Sequence, residues 1–262
     1  MKQPIKTLPL APYIGGKRIL SKTIIPLIDS VPHTMYAEGF VGMGGIFLRR
    51  NKIMKSEVIN DFNREIANFF RILQRHYIPF LDMMKFQITT RSEFERLCRV
   101  DSTTLTDLEN AARFLYLQRT AFGGKVTGRS FGVVPERPAR FNITTLAPML
   151  EEVHERLSGV VIECLNYADF ITRYDRPSTL FYFDPLYYGT EGEYGKTLFN
   201  RSEYPKLAEI LRNLKGKFIL SLNDVPAIRQ TFKDFNMESV DCTYSVAKII
   251  SKPVKELIIR NF

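Results

Sequence analysis

The feature that most constrains this chain is the alternation in its C-terminal half. Short apolar runs, GVVIECL, TLFYF, KFILSL and KELIIRNF, are interrupted by amphipathic segments, of which YPKLAEILRNLKG is the clearest. Strands alternating with helices build parallel pairs, because a parallel partner can only be reached through a long crossover. The pattern predicts a mostly parallel α/β sheet. In the helix after the second run, Leu207, Ile210, Leu211 and Leu214 form the apolar stripe, and Gly216 is placed as its C-cap.

The first sixty residues alternate glycine-rich turns with apolar runs, as in MYAEGFVGMGGIFL and EVINDF, and the texture turns helical near residue 65. RSEFERLC predicts a capping box of Ser92 and Glu95. TDLENAARFLYLQ predicts a second, of Thr106 and Glu109, whose helix turns Leu108, Ala112 and Leu115 to one face. GGKVTGRSFGVVPERPARFN reads as loops or a hairpin. The helical, basic middle is therefore expected to be an insertion of about 85 residues within one α/β core.

With 262 residues, 45% hydrophobic and 25% charged, the chain falls in the ordinary globular range. Its formal charge of +9 suits an anionic partner, nucleic acid or an acidic membrane surface, as well as plain solubility. Cys98, Cys164 and Cys242 form no CxxC pair, which argues against a disulfide framework or zinc site and suits a reducing cytosol. His33, His76 and His154 are dispersed, so they read as structural or surface residues and no metal is expected. No signal-like or long apolar stretch occurs, so neither export nor membrane insertion is expected.

In AEGFVGMGGIFL, Gly39, Gly42, Gly44 and Gly45 follow a short strand and precede a probable helix. Glycines there let the backbone turn tightly and approach a ligand. Asp61 ends the next strand, nineteen residues after Gly42. An α/β nucleotide site puts a carboxylate at that strand end to accept the ribose hydroxyls. The pattern lacks GxxxxGK[ST], which disfavours an NTP P-loop, and departs from GxGxxG, which counts against a nicotinamide cofactor.

The run TLFYF stops at Asp184-Pro185-Leu186-Tyr187. In open α/β sheets, chemistry sits beyond the carboxyl ends of strands. An exocyclic amine of a base is a poor nucleophile, because its lone pair is delocalised into the ring. Two acceptors on its two hydrogens would localise that pair: the Asp184 carboxylate, and the Pro185 carbonyl held by its ring. Tyr187 can stack on the base, worth about 1–3 kcal/mol. Such a base must first be flipped out of a duplex. The plainer alternative is an Asp-Pro turn with surface tyrosines.

Together these segments resemble the Dam-type (D12 class, alpha group) DNA adenine N6-methyltransferases. PYIGGK, Pro12 to Lys17, looks like the family's N-terminal cofactor motif, AEGFVGMGG like its FxGxG loop, and DPLYY like its DPPY motif. Asp169-Phe170 looks like its DF element. The resemblance implies a Rossmann-like AdoMet-dependent sheet with helices on both faces, residues 1–69 and 155–262. It also implies an inserted, mostly helical DNA target-recognition domain, residues 70–154. It implies S-adenosyl-L-methionine bound through Tyr13, Lys17, Glu38, Phe40, Gly42, Gly44, Asp61, Asp169, Phe170 and Asp184, with Lys17 at the methionine carboxylate. Catalysis falls to Asp184, Pro185 and Tyr187. One departure is plain: the family's second proline is Leu186 here, which removes a fixed φ but no chemical group.

A cytosine-C5 enzyme would need a Pro-Cys nucleophile, which LCR, ECL and DCT do not provide. Cytosine-N4 transfer, an RNA substrate, or a DNA-binding homologue weakened by DPLY remain alternatives. Between Ala111 and Asn142 there are six Lys or Arg residues and one acid. Arg119, Lys125, Arg129, Arg137 and Arg140 are assigned to double-stranded DNA, with aromatics interleaved. Ser202 and the GTEGEYGKT loop are placed over the substrate. A cytoplasmic location follows, with a cognate restriction endonuclease acting separately as a further partner.

Overall fold

The computed structural model describes residues 7–13, 15–133, 136, 138–190, 199–243 and 253–262. In chain order the main elements are α1 (Ser21–Ser30), β1 (Met35–Glu38), β2 (Ser56–Asn60), α2 (Arg64–Arg75), α3 (Tyr77–Lys85) and α4 (Arg91–Arg99). They continue with α5 (Asp107–Thr120), α6 (Ile143–Arg156), β3 (Val161–Glu163), α7 (Tyr167–Tyr174), β4 (Thr179–Phe183) and α8 (Glu203–Arg212). β5 (Lys217–Asn223), α9 (Pro226–Thr231), β6 (Asn236–Thr243) and β7 (Pro253–Arg260) complete the fold.

The strands form one seven-stranded sheet in the order β3-β2-β1-β4-β5-β7-β6. The first five neighbours are parallel, while β7 runs antiparallel to both β5 and β6. This is the mostly parallel α/β sheet expected from the alternation, in the Rossmann-like arrangement that the resemblance implies. Chain order reverses between β1 and β4, so their carboxyl ends flank the switch point, where such sheets bind ligands.

The two-residue period of the strands divides the core into two layers. Tyr36, Ile59, Leu180, Tyr182, Ile219 and Ile258 pack on one face against α1 and the helices from α2 to α6. Ala37, Val58, Phe181, Phe183, Phe218 and Leu257 pack on the other against α7, α8 and α9. Every residue of β4 is buried, as a central parallel strand requires.

The helical middle is as expected in kind and differs in detail. α4 is capped by Thr90, whose hydroxyl accepts the Glu93 N–H, and not by Ser92 with Glu95. The Thr106–Glu109 box at α5 is complete. α5 is buried nearly all round, since Phe114, Tyr116, Leu117 and Gln118 are enclosed as well as Ala112 and Leu115. Residue 70 lies within α2 and residue 154 near the end of α6, and the core runs without interruption from the sheet into these helices. Gly216 is not the cap of α8, which ends at Asn213. Gly216 instead packs on the carbonyls of Thr179 and Arg176, too close for a Cβ, and donates its N–H to Asp175.

Candidate active site at the strand switch point

The glycine turn leaves the end of β1 against β4: Gly39 donates its N–H to the Tyr182 carbonyl at 2.9 Å. A Cβ on Gly39 would lie 2.7 Å from the Phe183 ring, so only glycine allows this approach. Gly44 holds φ at 74°, a left-handed turn, before a short 3-10 turn over Phe47–Arg49 where a longer helix was expected. Gly42 donates its N–H to Asp61 Oδ2 at 2.9 Å, and Asp61 Oδ1 accepts the Asn63 N–H at 2.9 Å. Asp61 therefore braces the turn. Burial pushes its carboxyl up to about 6, against the opposing pull of the Asn63 and Gly42 amides.

Beside the turn lies a cleft of about 190 Å³ walled by Phe40, Phe62, Leu165, Asn166 and Tyr167 and floored by Gly39 and Asn60. Asn60 ties the floor together, donating from Nδ2 to the carbonyls of Gly39 and Leu165 and accepting the Leu165 N–H. Phe199, Asn200 and Glu203 close the far side, and Glu203 accepts the Tyr167 hydroxyl.

Asp184 emerges from β4 at the switch point with its side chain 17% exposed. Lys17 Nζ pairs with its Oδ1 at 2.9 Å and also donates to the Gly15 carbonyl at 2.9 Å. The same ammonium lies 4.5 Å from the centre of the Tyr187 ring. Ser221 Oγ donates to the same Oδ1 at 2.8 Å, and the Tyr182 hydroxyl meets Ser221 at 2.8 Å. Burial raises the Asp184 carboxyl above its ordinary value, while Lys17 and Ser221 pull it down. Both of these contacts fall on Oδ1.

The loop after Asp184 is held from several sides. Tyr204 donates its hydroxyl to the Leu186 carbonyl at 2.8 Å, and Tyr187 donates to Glu256 of β7. Asn223 accepts the Tyr188 N–H and donates to the Tyr188 carbonyl, each at 2.9 Å.

The structure thus brings together Lys17, Gly39, Gly42, Gly44, Asp61, Asp184 and Tyr187, with Phe40 in the cleft wall and the half-buried Tyr13 ring against Gly42. Other expected residues are placed differently. Glu38 is 1% exposed and accepts the Tyr36 hydroxyl at 2.6 Å. Burial pushes it up to about 8, with that hydrogen bond opposing. The Phe170 ring is fully buried against Phe181, and Asp169 is exposed in the first turn of α7, bonded to Asn166. The cleft face of this segment comes from Leu165, Asn166 and Tyr167.

The basic strip is also divided. Arg119 is half-buried and spends its donors on the carbonyls of Leu10 and Arg140. Arg140 donates to the Ala121 carbonyl at 3.0 Å and lies over Phe122. Arg129 folds inward, donating to the Lys125 carbonyl at 3.3 Å. Lys125 is exposed. Arg137 and residues 191–197 of the GTEGEYGKT loop lie outside the described residues. Ser202 precedes α8 and bonds to Asn200, at the rim of the cleft. Among the described residues no cluster of metal-ligating side chains occurs, and no helix is long and apolar enough to cross a membrane.

Sequence reasoning missed Ser221, Asn223 and Glu256. Their signal was the polar residues set into FILSLN and at the head of ELII, two otherwise apolar strands.

A glycine turn after β1 thus stands beside an acid after β4 at the switch point of an α/β sheet. The family model for D12 class N6 adenine-specific DNA methyltransferases matches residues 13–246, and the chain belongs to that family. It is an adenine-specific DNA methyltransferase. Type II methyltransferase M1.LlaDCHI of Lactococcus lactis subsp. cremoris is 25% identical over 284 residues, covering 100% of this chain and 98% of that protein. Among solved structures, SMU.472 complexed with SAH aligns at TM-score 0.41 and 11% identity over 97% of this chain and 54% of that one. The precorrin 8w decarboxylase from the Methanobacterium thermoautotrophicum genome aligns at 0.40 and 10% identity, over 93% and 89%.

Proposed function

We propose that this enzyme transfers a methyl group from S-adenosyl-L-methionine to N6 of an adenine flipped out of double-stranded DNA. The observation that carries the reading is Asp184. It stands at the end of β4 beside the glycine turn, with Oδ1 fixed by Lys17 and Ser221 and Tyr187 adjacent. What supports the cofactor reading is the cleft beside the glycine turn, with its aromatic walls and a braced carboxylate next to it. Phe40, Phe62 and Tyr167 would hold the cofactor there, with Lys17 on its carboxylate side. Bound there, it supplies an electrophilic methyl group on a sulfonium.

The chain's own residues do the rest by positioning. Asp184 Oδ2 and the Pro185 carbonyl accept the two N6 hydrogens, which localises the nitrogen lone pair and aims it. As the N–C bond formed and the methyl C–S bond broke, leaving the neutral thioether, the carboxylate would hold the departing N6 proton. Tyr187 stacks on the flipped base and keeps it in the dry site. Residues 70–154 supply target recognition, with Lys125 on a phosphate. The setting is the cytoplasm, where the DNA lies, and a separate cognate endonuclease fits the type II relative.

Duplex DNA incubated with methyl-labelled cofactor and digested to nucleosides tests the reading. Labelled N6-methyl-2′-deoxyadenosine is expected. No transfer, or label in N4-methyl-2′-deoxycytidine, would overturn it.

A further inference from the structure

β7 carries a buried apolar run, Leu257, Ile258 and Ile259, yet it opens with a carboxylate that is 0% exposed. Burying a carboxylate costs several kcal/mol unless it is hydrogen-bonded, so packing alone does not account for Glu256. Its described partner is the Tyr187 hydroxyl, 69 positions away in sequence. In the β5–β7 register Glu256 lies directly opposite Asn223. Opposed residues of an antiparallel pair project to the same face, so both side chains reach the DPLYY loop from one side. Asn223 grips the Tyr188 backbone at its N–H and its carbonyl. The Tyr187 ring is therefore held at both ends, by the fixed backbone next to it and by its hydroxyl at the tip.

We propose that Glu256 is a positioning residue for methyl transfer, orienting the Tyr187 ring through its hydroxyl while Asn223 fixes the backbone that carries the ring. The proposal rests on the reading of Tyr187 as the platform for the flipped base. A tyrosine pinned only at its backbone can swing about two side-chain torsions, and a swinging ring stacks poorly. The buried acceptor removes that freedom before the base arrives. It also supplies what Leu186 does not: in place of a second proline ring, two strands clamp the loop.

The test compares wild type with Glu256→Gln, Glu256→Leu, Tyr187→Phe and the Glu256→Leu/Tyr187→Phe pair. Single-turnover methylation is measured on a duplex carrying the target site, located first by sequencing the methylated positions of plasmid DNA from an expressing cell, together with fluorescence of 2-aminopurine at the target position and cofactor affinity. Glu256→Leu and Tyr187→Phe should each slow transfer roughly tenfold, the scale of one hydrogen bond to a charged group. Both should dim or broaden the flipped-base signal and leave cofactor affinity unchanged. The pair should be no slower than the slower single, because both remove one contact. Glu256→Gln keeps an acceptor and should recover most of the rate. Wild-type rates in Glu256→Leu, losses that multiply in the pair, or a defect confined to cofactor affinity would each overturn the proposal. If Glu256→Leu does not fold, Tyr187→Phe and Glu256→Gln decide it through the fluorescence signal. Failure of the wild type to methylate DNA would instead sink the proposed function.

Discussion

Substituting proline for Leu186 restores the residue that the family motif carries at that position, and the structure predicts that little will change. Besides the Tyr187–Glu256 contact, three hydrogen bonds already hold the loop's backbone: Tyr204 to the Leu186 carbonyl at 2.8 Å and two between Asn223 and Tyr188 at 2.9 Å. At about 1 kcal/mol net for each, they outweigh the roughly 0.4–1 kcal/mol of chain entropy that a compatible proline removes. If loop order limits the rate, that entropy is worth at most about fivefold, since 1.36 kcal/mol corresponds to tenfold. No described backbone hydrogen bond uses the Leu186 N–H, so proline displaces none of them. The assay is single-turnover methylation of a labelled duplex by wild type, Leu186→Pro, Tyr204→Phe and the double variant. Tyr204→Phe should slow transfer about fivefold, the loss of one hydrogen bond of about 1 kcal/mol, and Leu186→Pro should gain more in that background than alone. A gain well over tenfold from Leu186→Pro in the otherwise wild-type chain would refute the reasoning. It would mean that the hydrogen bonds do not supply the missing stiffness.

Lys17 holds the raised Asp184 carboxyl down, so Lys17→Gln should move the acid limb of the pH profile of kcat to higher pH; an unmoved limb counts against the pair. Glu38, at about 8 when folded against an ordinary 4.5, stays protonated in the fold after the unfolded chain has ionised. Its contribution to stability is complete below 4.5 and is lost as pH rises to 8, by up to about 1.4 kcal/mol per pH unit. Urea unfolding of Glu38→Gln should show a smaller loss between pH 5 and pH 8 than wild type, and equal losses would exclude this. Lys125→Ala should reduce the salt slope of DNA affinity by about one. Arg119→Ala should lower the melting temperature instead, since it frees two carbonyl contacts; a salt-slope change without a melting change would reverse that assignment.

The C-terminal sheet was legible because burial on both faces leaves continuous apolar runs, and TLFYF could scarcely be anything but a central strand. Local frames were harder. Thr90 and Ser92 each precede a glutamate by three residues, and spacing alone does not say which hydroxyl caps; the earlier one adds a hydrogen-bonded turn before Phe94 and Leu97 are buried. Gly216 has the sequence signature of a cap, yet what fixes it is close approach to two carbonyls, a tertiary fact. At the site, Asp184, Tyr187 and Lys17 were visible as short motifs. Ser221, Asn223 and Glu256 were not, because the β5–β7 register that aims them is set between segments joined by residues 224–252. The basic strip misled for a related reason. A guanidinium reads as surface charge in sequence, but Arg119 and Arg140 close off buried carbonyls.

The same limits apply to what joins the helical middle to the sheet. Arg156, at the end of α6, pairs with Glu57 of β2 at 2.6 Å, and Glu57 also pairs with Arg50 at 3.0 Å, all three nearly inaccessible. Arg50 lies 3.7 Å from the centre of the Tyr36 ring, whose hydroxyl binds Glu38 behind the glycine turn. Removing Glu57 leaves two buried guanidiniums without their counter-charge, a loss of about 3–5 kcal/mol. At the other end, Gln118 and Arg119 of α5 hold the carbonyls of Pro12 and Leu10, just before Lys17. The helices are thus fastened to β2 and to the segment before Lys17, two places far apart in sequence. Chemistry on a base needs that base out of the duplex, so in the proposed reaction a frame tied in this way holds Asp184 in place while the base travels.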